Sequence, residues 1–201
     1  MLIDKDKDPD LFRLISDRNL LSQYDYLVTT IMVSLEERRF PVNRDFLCEL
    51  NKRVVTYISP HPGEIRRCLV GINNSNHIPP DHADVSDLLS AMFSYIERQW
   101  DDATAVHLSA YALWRINWIH PFVEGNGRTA RALSYFIICA KLNMLLPGKN
   151  IIPQQIRANR SPYYAALAAA DEVHKRNQGA VDVSELESYV NTLLTVQLSE
   201  G

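Results

Sequence analysis

The sequence predicts an all-α helical bundle that carries one small β-hairpin. Glycine is scarce, at seven in 201 residues, and runs of β-branched residues are few, so little favours an extended sheet. Apolar residues recur at spacings of three and four through most of the chain, which lines one face of a helix. Only residues 66–80 break that rhythm for any length.

Taken in order, Leu20, Tyr24, Leu27, Val28, Ile31 and Leu35 share one face of a helix from Leu20 to Glu37. Pro41 marks a boundary, and Phe46, Leu47, Leu50 and Val54 continue a second helix up to Pro60. The stretch SPHPG that follows is a turn by composition. In RRCLVGINNSNHIPP a short apolar run, Cys68 to Ile72, meets the polar cluster Asn73 to Asn76 and then returns through His77-Ile78 to Pro79-Pro80. That pattern predicts a β-hairpin, which would lean on the helices and leave a free edge. Val85, Leu88, Leu89, Met92, Phe93 and Ile96 resume the helical spacing, as do Val106, Ala110, Leu113 and Asn117 between Ala103 and Trp118. A further helix starts near Asn126 and carries Ala132, Leu133, Phe136, Ile137 and Ala140 until Pro147-Gly148 ends it. Ser161-Pro162 reads as an N-cap with proline in the first helical position, and Ser184-Glu185-Leu186-Glu187 as a capping box opening the last helix. No internal repeat or low-complexity linker divides the chain.

Composition narrows the function classes. A chain that is 46% hydrophobic and 22% charged belongs with soluble globular proteins. A net charge of −3 and a pI near 6.1 offer no bulk attraction to nucleic acid or to an anionic membrane, so any anion site must be local. Cys48, Cys68 and Cys139 are isolated, with no Cys-x-x-Cys pair to suggest zinc or a redox dithiol, and buried free thiols are expected. The charged start MLIDKDKDPD has no apolar stretch of signal length, and no segment reaches the roughly 20 apolar residues of a membrane span. A cytoplasmic protein is expected.

The chemistry concentrates in IHPFVEGNGRTAR, residues 119–131. Pro121 biases His120 away from helical geometry, so the preceding helix should stop at or just before it and leave the imidazole at a loop entrance. Gly125 and Gly127 bracket Asn126 and let successive N–H groups turn inward. Arg128 then opens the next helix, whose N-terminus is a ready anion site. Arg128 and Arg131 are three apart and project from one face. Two guanidinium groups beside such a nest suit an anion with several negative groups, such as a polyphosphate. Glu124 stands where a carboxylate would repel phosphate unless a divalent cation lay between, and Mg²⁺ binds in that way. His120, with an unperturbed pKa near neutrality, can take the proton of a hydroxyl aimed at the bound phosphate. Together these residues describe phosphoryl or nucleotidyl transfer. A His-x-x-x-Glu zinc hydrolase is the weaker rival, since it lacks a third ligand and leaves both arginines without a task.

The same window resembles the Fic family signature, His-x-Phe-x-Asp/Glu-Gly-Asn-Gly-Arg-x-x-Arg, and His120, Phe122, Glu124, Gly125, Asn126, Gly127, Arg128 and Arg131 match every specified place. GEIRR with residues 66–80 looks like the family's flap, and NRSPYYAALAAAD like the helix that follows the motif. The resemblance implies a Fic fold, with helices of residues 1–60 packed on a Fic core of residues 61–201. Members commonly transfer AMP from Mg-ATP to a Ser, Thr or Tyr hydroxyl of a target protein. By that resemblance His120 is the base, Glu124 holds Mg²⁺, and Gly125, Asn126 and Gly127 line the hole around the α-phosphate. Arg128 would bind the departing diphosphate and Arg131 the γ end, while Phe122 fixes the loop from the core. Tyr163 or Tyr164 would edge the adenine. The free edge of the hairpin at 66–80 has two readings, one in which it docks the target segment by main-chain pairing and one in which it only covers the core.

Relatives of the death-on-curing type carry Lys at the position of Gly127 and transfer the γ-phosphate, so Gly127 favours AMP. A phosphotransferase, or a transferase of another nucleotide or of phosphocholine, is the second reading, and a non-catalytic nucleotide-binding module the third. Many members are restrained by a helix with Ser/Thr-x-x-x-Glu-Gly/Asn, whose glutamate pairs with the second arginine, here Arg131. Glu36 and Glu37 follow Met32 and Val33 instead of a hydroxyl residue, and Glu200-Gly201 follows Val196. Neither completes the motif, which leaves a separate inhibitory partner, a homo-oligomer or constitutive activity open.

Overall fold

A computed structural model describes residues 2–72, 75–177 and 180–199. Among the described residues there are eight helices: α1 (Pro9–Glu37), α2 (Arg44–Val55), α3 (Val85–Arg98), α4 (Ala105–Ile119), α5 (Asn126–Lys141), α6 (Ile152–Ala158), α7 (Ser161–Arg176) and α8 (Ser184–Ser199). The all-α expectation holds. The β-hairpin does not: among the described residues of 66–80 there is no strand, and Asn73 and Asn74 at its expected turn lie outside the described residues. The described residues on either side of those two form an irregular strap fastened by side chains, as described below.

The middle of the fold is the α4–α5 pair. A helix that is apolar nearly all round must be buried all round, and α4 buries Leu108, Ala110, Tyr111, Leu113, Trp114, Ile116 and Ile119. In α5 nearly every residue from Thr129 to Ala140 is buried, Arg131 being the exception. The other helices then need only one apolar stripe each. α1 and α2 pack together and against α5, α3 and α8 against α4, and α6 bridges α5 and α8. One apolar cluster runs from Leu27 of α1 to Leu194 of α8. Phe46 of α2 meets Phe136 of α5 edge-on, with ring centroids 4.7 Å apart.

Several boundaries differ from the sequence reading, each for a local reason. α1 begins at Pro9, eleven residues before Leu20, because Asp8 caps it by accepting from Leu11 N–H and proline fits the first turn. α2 stops at Val55, short of Pro60, and Tyr57 then takes a left-handed φ of 65°. Ser161 lies inside α7, after a cap at Arg160. The capping box at 184–187 does not form: Ser184 N–H donates to Asp182 instead, and the Glu187 carboxylate accepts from His107 Nδ1 at 2.7 Å. Of the cysteines, Cys139 is buried as expected, but Cys48 is half-buried and Cys68 exposed. No helix among the described residues is long and apolar enough to cross a membrane.

Candidate active site

The functional residues gather where α4 ends and α5 begins. His120 is the C-cap of α4, in the left-handed region at φ 52°, and its N–H closes the helix on Ile116 O at 2.9 Å. Asn and His accept that region more readily than most residues. The turn brings Nδ1 to 3.2 Å from the Asn117 carbonyl. A carbonyl only accepts, so Nδ1 carries the hydrogen and the Nε2 lone pair is left to act as a base. Burial pushes the imidazole pKa below its ordinary value; the Asn117 bond and the Glu124 carboxylate oppose this, while Arg66 and His77 add to it. Burial of His120 therefore favours its uncharged form.

The loop after it is held from inside. Phe122 is 1% exposed. The buried Asn126 side chain accepts from Phe122 N–H at 2.9 Å and donates to Phe122 O at 2.8 Å, closing residues 122–126 into a ring. Gly125 takes a left-handed φ of 85° as the N-cap of α5. The first backbone bond of α5 runs from Thr129 N–H to Gly125 O at 2.9 Å. The N–H groups of Asn126, Gly127 and Arg128 thus precede any carbonyl of their own helix, and with the helix dipole they make this end attractive to anions. Gly127 differs from what its flanking place suggests. It lies within α5 without a positive φ, and what it supplies is space: a Cβ there would stand 3.5 Å from Arg131 Nη1 and 3.7 Å from Asn117 Oδ1.

The charged residues form two groups. Glu124 Oε1 accepts from Arg128 Nη2 at 2.8 Å and from Gly125 N–H at 3.0 Å. Both bonds fall on one oxygen of a carboxylate that is about half exposed, so Oε2 can face a cation. Arg128 and Arg131 line a cleft of about 280 Å³ between α1, α5 and α6, together with Arg157, Asp17, Gln23 and Tyr24. Burial lowers the pKa of both arginines, Arg131 being further opposed by its neighbours Arg160 and Arg128. A guanidinium remains charged in spite of this, so the cost of holding these cations close together is one that a polyanion would relieve. Tyr163 is 1% exposed and its hydroxyl accepts from Asn117 Nδ2 at 2.8 Å, whereas Tyr164 beside it is 56% exposed. Among the described residues neither Glu36 nor Glu37 pairs with Arg131. Glu200-Gly201 lies outside the described residues.

Comparison with known proteins matches this geometry to a family. The Fic/DOC family model fits residues 41–138, which run from just before α2 to the last turn of α5 and include the whole motif. Over that span the chain is a member of the Fic/DOC family. Protein adenylyltransferase Fic of Drosophila mojavensis is 32% identical over 164 residues, covering 79% of this chain and 30% of that protein. Its counterpart in Drosophila willistoni is 31% identical over the same shares. The chain thus spans less than a third of the length of these relatives. Among solved structures, a Fic domain containing signaling protein from Bacteroides thetaiotaomicron superposes with a TM-score of 0.72 at 18% identity, over 92% of this chain and 71% of that one. A fragment of Fic-1 from C. elegans gives 0.70 at 21%, over 92% and 49%. Both likenesses concern the fold.

Three residues of this Fic domain that sequence reasoning did not assign to the site hold it together. Asn51, wholly buried on α2, donates to Glu124 O at 2.9 Å and accepts from Gly63 N–H at 3.0 Å. Asn117 ties His120, Tyr163 and the space over Gly127 to one position on α4. Arg66, 3% exposed, donates to the His120 carbonyl at 2.7 Å. The available signal was a polar residue within an apolar helical face, as at Asn51 between Leu50 and Val54.

Proposed function

We propose that this protein transfers AMP from ATP to a hydroxyl side chain of another protein. The observation that carries the reading is the His120 imidazole, whose Nδ1–H is committed to Asn117 and whose Nε2 is left as a base on the same short segment that leads into the anion-attracting start of α5, with Arg128 and Arg131. The relatives named protein adenylyltransferase Fic support the same reading. His120 Nε2 takes the proton of the incoming hydroxyl, whose oxygen forms a bond to the α-phosphorus as the bond to the departing diphosphate breaks. The N–H groups at the start of α5 receive the α-phosphate oxygens. Arg128 lets go of Glu124 to meet the diphosphate, and Arg131 holds its far end. Tyr164, exposed beside the buried Tyr163, is the ring with surface to offer the adenine.

Magnesium fits these donors. Among the described residues no group of three His, Cys, Asp or Glu is placed to hold a metal ion, so the ion would ride on the nucleotide's own phosphates with Glu124 as its protein ligand. It would supply charge to the phosphates as the diphosphate departs. The target segment would lie along residues 66–80, where Leu69 and Ile78 are 71% and 85% exposed.

Two measurements test the proposal. With cell lysate as acceptor, ATP labelled at the α-phosphate is expected to mark protein and ATP labelled at the γ-phosphate is not. Label from γ alone would mean a phosphotransferase, and label from neither, with ATP bound, a binding module. The pH profile is the second. Because burial holds His120 below its ordinary pKa near 6.5, the rate should stay level through neutral pH and fall only as pH drops through the lowered value, where the imidazole gains a proton. A rate that already halves at pH 7 would contradict the neutral base.

A further inference from the structure

The last carbonyls of a helix need donors from elsewhere, and for the last two of α4 and the two that follow it the donors come from residues 66–80. His77 Nε2 donates to Trp118 O at 2.8 Å. Arg66 Nη2 donates to Ile119 O at 3.3 Å, Arg66 Nε to His120 O at 2.7 Å, and Arg66 N–H to Pro121 O at 2.9 Å. Asn117 O is left to His120 itself. The remaining donors of the Arg66 fork reach both ends of its own segment: Nη1 meets Cys68 O at 2.9 Å and Nη2 meets Pro80 O at 2.6 Å.

We propose that Arg66 is a positioning residue for His120, a single guanidinium that holds the left-handed turn aiming Nε2 and at the same time closes the strap of residues 66–80 beside it. The fork is suited to this because five N–H donors in one rigid plane can span carbonyls from three stretches of chain, which an ammonium cannot. No other side chain described in the structure bonds to both the base's backbone and the strap's two ends. A displacement of the base of about 1 Å costs on the order of 100-fold in rate, so the fork acts on the chemistry without touching the nucleotide. Its charge acts as well. The groups facing His120 are Arg66 and His77 from the strap and Glu124 from the loop. Without Arg66 one of the two cations that oppose the charged imidazole is gone, and although burial and His77 still oppose it, the imidazole takes up its proton at higher pH.

The inference rests on the AMP-transfer reading only for its kinetic part, so its test includes a readout that needs no reaction. Arg66→Met and Arg66→Lys are compared with the natural protein by NMR titration of ¹⁵N-labelled histidine, by ATP binding, and by transfer of α-labelled AMP to lysate protein. In Arg66→Met the His120 titration is expected to move to higher pH and its Nδ1–H tautomer to lose its exclusivity. Labelling should fall about 100-fold, with the acid limb of the profile moved upward and ATP affinity within about threefold. Arg66→Lys keeps the charge and should titrate near the natural protein while still labelling slowly. A folded Arg66→Met protein with an unchanged His120 titration and tautomer overturns the proposal. Should Arg66→Met fail to fold, full labelling by Arg66→Lys overturns it instead. If the natural protein gives no label yet the histidine readout shifts as stated, the positioning role stands and the AMP-transfer reading falls.

Discussion

Replacing His120 by alanine is expected to lower AMP transfer by about 10²- to 10⁴-fold, the usual contribution of a positioned general base, while ATP binding changes little. Binding should survive because the anion donors belong to α5 and to Arg128 and Arg131, and the Asn126 ring that shapes the loop makes no bond to the imidazole. Alanine at a left-handed residue carries a conformational cost of its own, about 1–2 kcal/mol. A second variant separates that effect from the chemistry. Asparagine accepts the left-handed region, so His120→Asn preserves the cap of α4 and removes only the base. Equal loss of transfer in both variants, with similar melting temperatures for His120→Asn and the natural protein, assigns the loss to proton transfer. Retained labelling in either variant would take His120 out of the mechanism.

The parts of this protein that were legible in its sequence are those whose partners are near in the chain. The motif lies within thirteen residues, so its base, glycines and arginines meet by local turns. Helices with a buried stripe were visible for a similar reason, since periodicity records burial on one face. Where burial does not repeat, the signal fails. The first turns of α1 expose Leu11 and Leu14, at 39% and 65%, and show no face to read. α6 has seven residues with only Ile152 and Ile156 buried, too few for a period to show. The expected hairpin failed because an apolar run, a polar cluster and a return are equally the composition of a strap that its own side chains fasten. Its Leu69 and Ile78 turn outward, and its hold comes from Arg66 and His77. Those fastenings are long-range: Asn51 reaches Glu124 across 73 positions and Arg66 reaches His120 across 54. Such pairs leave only a polar residue in an unlikely place as their trace.

The two glycines of the motif look alike in sequence and should respond differently to alanine. At Gly125 the backbone is left-handed, φ 85°, and a Cβ would stand 2.5 Å from Val55 Cγ1 and 3.0 Å from Asn51 Nδ2. The conformation costs an alanine about 1–2 kcal/mol, and forcing a methyl into filled space about 1–3 more. Gly125→Ala should therefore lose roughly 2–5 kcal/mol of stability, at about 2–4 °C in melting temperature for each kcal/mol in a chain of this size. The site should suffer with the fold, because the displaced Asn51 amide is the donor that holds Glu124 O and the loop above it. ATP affinity should fall in step. At Gly127 the backbone is helical and the nearest neighbours of a Cβ, at 3.5 Å and 3.7 Å, are at ordinary contact, so Gly127→Ala should melt at or above the natural temperature, as alanine is the better helix former. Any loss of ATP affinity there would come from the methyl beside Arg131. Thermal melts and ATP titrations of the pair decide the matter, and a Gly125→Ala protein as stable as the natural one would show that the turn into α5 is looser than its φ and its packing against α2 require.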